Sequence, residues 1–145
     1  MRKLLPLLAV LSCIFVGCSE EGPPPAAQPQ APPEPTAAEI RNELNVSIQP
    51  LVQASSPGVT VPPAVKDEAV RAFNQVRSKH AARPNGPEGL KQFGADVERL
   101  ISTARGNEAW LAAKGGIEIY KALNPGSERY NTLEQRADIM IARPT

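Results

Sequence analysis

From residue 36 onward, apolar positions recur every three or four residues, the period of an amphipathic helix. No stretch alternates in the manner of a half-buried strand. Thr36-Ala37-Ala38-Glu39 has the form of a capping box and predicts the start of a first helix. Its inward stripe would be Ile40, Leu44, Ile48, Leu51 and Val52, with a kink or break near Gln49 where Pro50 removes a helical hydrogen bond. A loop over residues 55–61 carries Pro57-Gly58. The spacing then predicts a second helix over residues 63–82. Val65, Ala69, Val70, Phe73, Val76 and His80 face inward on it, and Asp67 and Arg71 pair four apart on its outer side. Arg83-Pro84-Asn85-Gly86 marks a turn. A third helix takes Leu90, Phe93, Val97, Leu100, Ile101 and Ala104 inward and ends at Gly106 as a C-terminal cap. Asn107 is the expected cap of a fourth, striped by Trp110, Ala113, Ile117, Tyr120 and Leu123. Ser127 is the expected cap of a fifth, striped by Tyr130, Leu133, Ala137, Met140 and Ile141. Gly115-Gly116 falls inside the fourth helix at a cost of about 2 kcal/mol relative to alanine. Either the helix breaks there or a neighbouring backbone comes close. Short connections favour neighbours packed antiparallel. The expectation is an all-α domain over residues 37–145, a small antiparallel bundle of about five amphipathic helices.

The first 36 residues follow different rules. Arg2 and Lys3 precede an uncharged run from Leu4 to Val16, too short to span roughly 30 Å of hydrocarbon as a helix. This is the layout of an export signal, removed before folding is considered. Residues 19–36 read SEEGPPPAAQPQAPPEPT, with seven prolines between Pro23 and Pro35 and almost no apolar side chains. Such a segment cannot build a core and favours extended polyproline geometry. At about 3.1 Å per residue it would act as a disordered tether reaching roughly 50 Å.

Phe15-Val16-Gly17-Cys18 resembles the lipobox of bacterial lipoproteins, in which two apolar residues and a small one precede the cysteine that is lipidated. Phe15 stands where that pattern usually has leucine. The resemblance covers only these first residues and implies a signal peptide over 1–17 and a lipid-bearing Cys18 beginning the 18–36 tether. It further implies a diacylglyceryl thioether on Cys18 and an acylated amine, and more than one acyl chain makes a durable anchor. Ser19, in place of aspartate, resembles the pattern of lipoproteins passed to the outer membrane, facing the periplasm. Val10-Leu11-Ser12-Cys13 is a second and poorer match. With Cys18 taken by lipid and Cys13 removed, no thiol is left for a disulfide or a metal.

Charge and chemistry then narrow the function. The 16 basic and 15 acidic residues become 14 against 15 once Arg2 and Lys3 are lost. Near-neutral and well mixed, this gives no footprint for nucleic acid. His80 is the only histidine. It is read as an edge-of-core residue interacting with its helix terminus, against the alternative of a general base or metal ligand. The carboxylates are spread out, and of the pairs Asp67-Glu68, Asp96 with Glu98 and Glu134 with Asp138 only the last lies one turn apart on a face. No nucleophile elbow, phosphate loop or dinucleotide fingerprint occurs. The aromatic residues that survive cleavage all fall on inward stripes, leaving no stacking platform, although Trp110 and the tyrosines are suited to a rim. The sequence therefore points to a non-enzymatic, membrane-anchored envelope lipoprotein whose helical domain binds another envelope protein. No catalytic, cofactor or metal residue is assigned, and Cys18 is the single modification site. The alternative is a hydrolase or small-ligand binder with a site built from dispersed residues.

Overall fold

Thr36 and Glu39 close the expected capping box. The Thr36 hydroxyl accepts from the Glu39 amide at 3.2 Å, and the Glu39 carboxylate accepts from the Thr36 amide at 2.7 Å. Two donors that a helix start leaves without partners are satisfied in this way. The computed structural model, which describes residues 31–144, places six helices after this point. They are α1 (Ala37–Ser47), α2 (Gln49–Ala54), α3 (Pro63–His80), α4 (Gly86–Gly106), α5 (Trp110–Leu123) and α6 (Asn131–Ile141). The fold is all-α, with no strand among the described residues. The signal segment and Cys18 lie outside the described residues. Residues from Glu34 onward form one compact unit.

There are six helices where five were expected, because the first is divided. Ile48, at φ −99° and ψ 4°, leaves helical geometry, and α2 restarts with Pro50 in its first turn. Ile48 and Leu51 remain buried, but Val52 is 40% exposed and leaves the predicted stripe. The expected caps shift as well. Asn107 follows the end of α4 and does not cap α5; its amide donates to the Ser55 carbonyl at 2.8 Å. Gly106 stays helical, and the left-handed residue that turns the chain is Glu108, at φ 57°. Tyr130, not Ser127, occupies the N-cap of α6. Helix α3 stops at His80, and Asp67 pairs with Lys66 at 2.8 Å in place of Arg71.

The core centres on α5, which packs against α2, α3, α4 and α6. Ala112, Ala113, Gly115, Gly116, Ile117, Ile119 and Tyr120 are all buried, so the helix is enclosed on nearly every side. Gly115-Gly116 does not break it. A methyl group at Gly115 would lie 2.8 Å from a Leu51 methyl, and one at Gly116 would lie 2.8 Å from Ile101. The pair of glycines is the space into which α2 and α4 pack.

Two further glycines bring the start of α4 against its neighbours. A methyl on Gly86 would meet the His80 carbonyl oxygen at 1.9 Å, and one on Gly89 would meet Ile40 at 2.7 Å. Backbone cannot yield as a side-chain end can, so Gly86→Ala is expected to destabilise by about 3 kcal/mol or more. Gly94→Ala, in the same helix with nothing within 4 Å of the new methyl, is expected to stabilise by about 0.5–1 kcal/mol. Denaturant unfolding of both variants checks this; a Gly86→Ala protein as stable as the parent would refute the packing argument.

Candidate functional site

His80 sits at the C-terminal end of α3 and is 2% exposed, fully inside and not at the edge of the core. Its Nε2 is 2.6 Å from a carboxylate oxygen of Glu43 on α1, and the other oxygen accepts from Lys79 at 2.7 Å. The Lys79 ammonium, and after it the His80 ring, hold the Glu43 carboxyl below its ordinary pKa against the opposing effect of burial. An ionised carboxylate only accepts, which places the ring proton on Nε2. Nδ1 is buried without a partner. The predicted partner, the helix terminus, is therefore replaced by a side chain of α1. With one carboxylate in reach and almost no exposed ring surface, this cluster joins α1 to α3 and offers no face to a substrate.

A second clamp ties α1 to α4, and sequence reading did not find it. Arg41 donates twice to Asp96, at 2.7 and 2.8 Å, and Asn45 donates to the same carboxylate at 2.9 Å. The Arg41 hydrogen bond, with Asn45 and Arg99 adding to it, holds the Asp96 carboxyl below its ordinary pKa despite burial. Glu134 and Asp138 share a face as expected, but each is committed to a lysine of α5, Lys121 and Lys114 respectively. Among the described residues no group of three His, Cys, Asp or Glu side chains is placed to hold a metal ion.

The surface carries several clefts among the described residues, and two of them have apolar linings that bear on binding. One, of about 280 Å³, lies where the loop before α3, the start of α5 and the end of α6 meet; Val59, Val61, Trp110, Leu111 and Met140 line it. Trp110 stands at this rim, half-buried under the Arg136 guanidinium at 5.2 Å from the ring centroid. Its inward assignment is thus corrected in favour of the rim position. Ile141, 37% exposed, belongs to this lining and so leaves its predicted stripe, and Ile139, 59% exposed, is a further exposed apolar residue at the same end of α6.

The other cleft, of about 630 Å³, opens between α3 and α4. These helices are joined by a short turn, yet each packs on α1 and α5 more than on the other. Phe73 and Phe93 stack between them with centroids 5.7 Å apart. Leu90, Tyr120 and Leu123 supply apolar surface to the cleft, with Arg77, Lys91 and Glu98 among its charged residues. The Arg77 guanidinium donates to the Ala122 carbonyl at 2.8 Å and lies over Phe73. Tyr120 meets Tyr130 edge to face at 4.7 Å, so both tyrosines are held in place.

Compared with protein families, curated proteins and solved structures, the chain matches none. Among the described residues, no helix is long and apolar enough to cross a membrane.

The clamp on Asp96 sets an acid limit to stability. Its folded pKa lies below the unfolded value of about 3.9, so its contribution is present above that value and is lost as pH falls through the folded pKa. Asp96→Asn should cost about 2 kcal/mol at neutral pH, the scale of hydrogen bonds to a charged group. That difference should shrink steadily below about pH 4. Urea unfolding of parent and variant between neutral and acid pH reads it directly, and a difference that stays constant with pH would show the carboxylate charge to be irrelevant.

Proposed function

We propose that this chain is a membrane-anchored envelope lipoprotein, lipidated on Cys18, whose domain is a non-catalytic module that binds another envelope protein. In this reading the anchor faces the periplasm from the outer membrane. The helices form an antiparallel bundle; the pairing of Lys114 with Asp138 and of Lys121 with Glu134 supports this for α5 and α6, because numbers rise on one helix as they fall on the other.

The observation that carries the binding function is the placement of the apolar cleft. The chain enters the domain where the Pro35 carbonyl accepts from the Asn85 amide at 2.9 Å, just before α4. The Trp110 cleft begins just after α4 ends. The 21 residues of α4 separate the two points by roughly 30 Å at 1.5 Å per residue. An apolar surface at the far end from the attachment point, rimmed by charge, is what a tethered module would present to a partner away from the membrane. The structure gives the hydrolase alternative little support, because His80 is enclosed and has a single carboxylate partner.

A photocrosslinking amino acid placed at Ile139 in the intact lipoprotein should yield one discrete heavier adduct in cells. The same residue placed at Val46, 65% exposed on α1, should not. Equal or smeared adducts from both positions would speak against a specific partner at this end of the domain.

A further inference from the structure

The wide cleft between α3 and α4 is independent of the partner reading, and its chemistry is of another kind. Its volume of about 630 Å³ falls inside the range of small-molecule sites, which are mostly apolar with a few polar groups that fix orientation. Leu90, Tyr120, Ala122 and Leu123 provide the apolar part. The charged part is unbalanced. Glu98 is the carboxylate in the lining, and Arg129 already neutralises it at 2.6 Å. Lys91, exposed on α4, has no ion-pair partner among the described residues. Arg77 on α3 uses one nitrogen on the Ala122 carbonyl, which also offsets the partial negative charge at the end of α5, and it has further donors to spare. Two cations, one from each helix that borders the cleft, therefore act on it without a matching anion.

Gly94 is the second observation. It lies in the interior of α4 and lines this cleft, and a methyl group there would touch nothing within 4 Å. Its φ is not in the left-handed region. The buried glycines of the domain are explained by a neighbour that needs their space; Gly94, only partly buried, has no such neighbour. It costs the helix about 1 kcal/mol relative to alanine, and what it leaves open is the cleft itself.

We propose that this cleft binds a small amphiphilic anion. The ligand is a carboxylate or phosphate ester whose apolar body lies between α3 and α4, against Leu90 and Leu123, and whose charged head is taken by Arg77 and Lys91. Guanidinium and ammonium groups bind such heads through charge-assisted hydrogen bonds. The same head chemistry occurs on a free fatty carboxylate and on a lipid phosphate, and the two are separable by experiment.

The chain from residue 18 onward, carrying Cys18→Ser so that it remains unlipidated, is titrated calorimetrically with monomeric decanoate and with dihexanoyl phosphatidylglycerol. Decylamine and inorganic phosphate serve as controls. At least one of the two anionic amphiphiles should bind saturably at one site, and which one identifies the source of the head. Decylamine should bind at least about tenfold more weakly, and inorganic phosphate should give no saturable heat. Lys91→Met should weaken the anion by about tenfold, the scale of one charge-assisted hydrogen bond, with the melting temperature unchanged. Gly94→Leu should abolish saturable binding while the melting temperature is kept or raised, because the new side chain enters open space and improves helix propensity. Failure of both anions to saturate, equal binding of decylamine, or full affinity in both folded variants would overturn the proposal.

Discussion

A helix enclosed on nearly every side can be surrounded only if its own side chains are small where its neighbours come closest. In α5 that condition is met by Ala112, Ala113, Gly115 and Gly116, and it determines how the other helices are placed. Leu51 of α2 occupies the space beside Gly115, and Ile101 of α4 the space beside Gly116. The glycine pair costs about 2 kcal/mol of helix propensity, but the contacts it permits bury Leu51 and Ile101 almost completely. Burial of each such side chain is worth about 1.5–3 kcal/mol. Packing therefore outweighs propensity, and the helix runs unbroken through a sequence that, in isolation, would weaken it.

Helix α1 packs chiefly against α4 and α3, and charge completes its attachment. Arg41 and Asn45 reach Asp96 on α4, while Glu43 reaches Lys79 and His80 on α3. The partners lie on both flanks of α1, so the helix is fixed in rotation as well as in position. Exposed ion pairs add little to stability by themselves. Asp96, with its side chain 10% exposed and three nitrogen donors around it, is in a different position. Losing its partners would leave a charge in a part-buried site, and that asymmetry makes the clamp specific.

Local signals in the sequence read well because they depend on neighbours in the chain. The capping box at Thr36, the break before Pro50, the turn at Gly58 and the 3.6-residue stripes each depend on residues within a few positions of each other. What escaped is what depends on tertiary contact. Val52 and Ile141 lie at stripe positions but leave the core, since no helix covers them. Asn107 has the chemistry of a cap, yet its amide finds the Ser55 carbonyl, 52 residues away. Gly86 reads as a turn residue, and its real constraint is the approach of the His80 carbonyl. The Arg41–Asp96 pair spans 55 residues and has no local signature. His80 was visible as the sole histidine, but its partner was not, because Glu43 reaches it from another helix.

The glycines of this domain also distinguish two ways in which a small residue can be used. At Gly86, Gly89, Gly115 and Gly116 the missing side chain is replaced by a neighbouring atom, so the space is filled and the local cost is offset by contact. At Gly94 nothing replaces it. A helix that tolerates an interior glycine without packing gain carries an uncompensated cost of about 1 kcal/mol, in a fold whose total stability is of order 5–15 kcal/mol. The same position borders the one large opening between α3 and α4 found among the described residues, where Arg77 and Lys91 act from facing helices. Stability alone would favour alanine or leucine there. An open wall beside two unmatched cations is better accounted for by something that enters the cleft than by the packing of the domain.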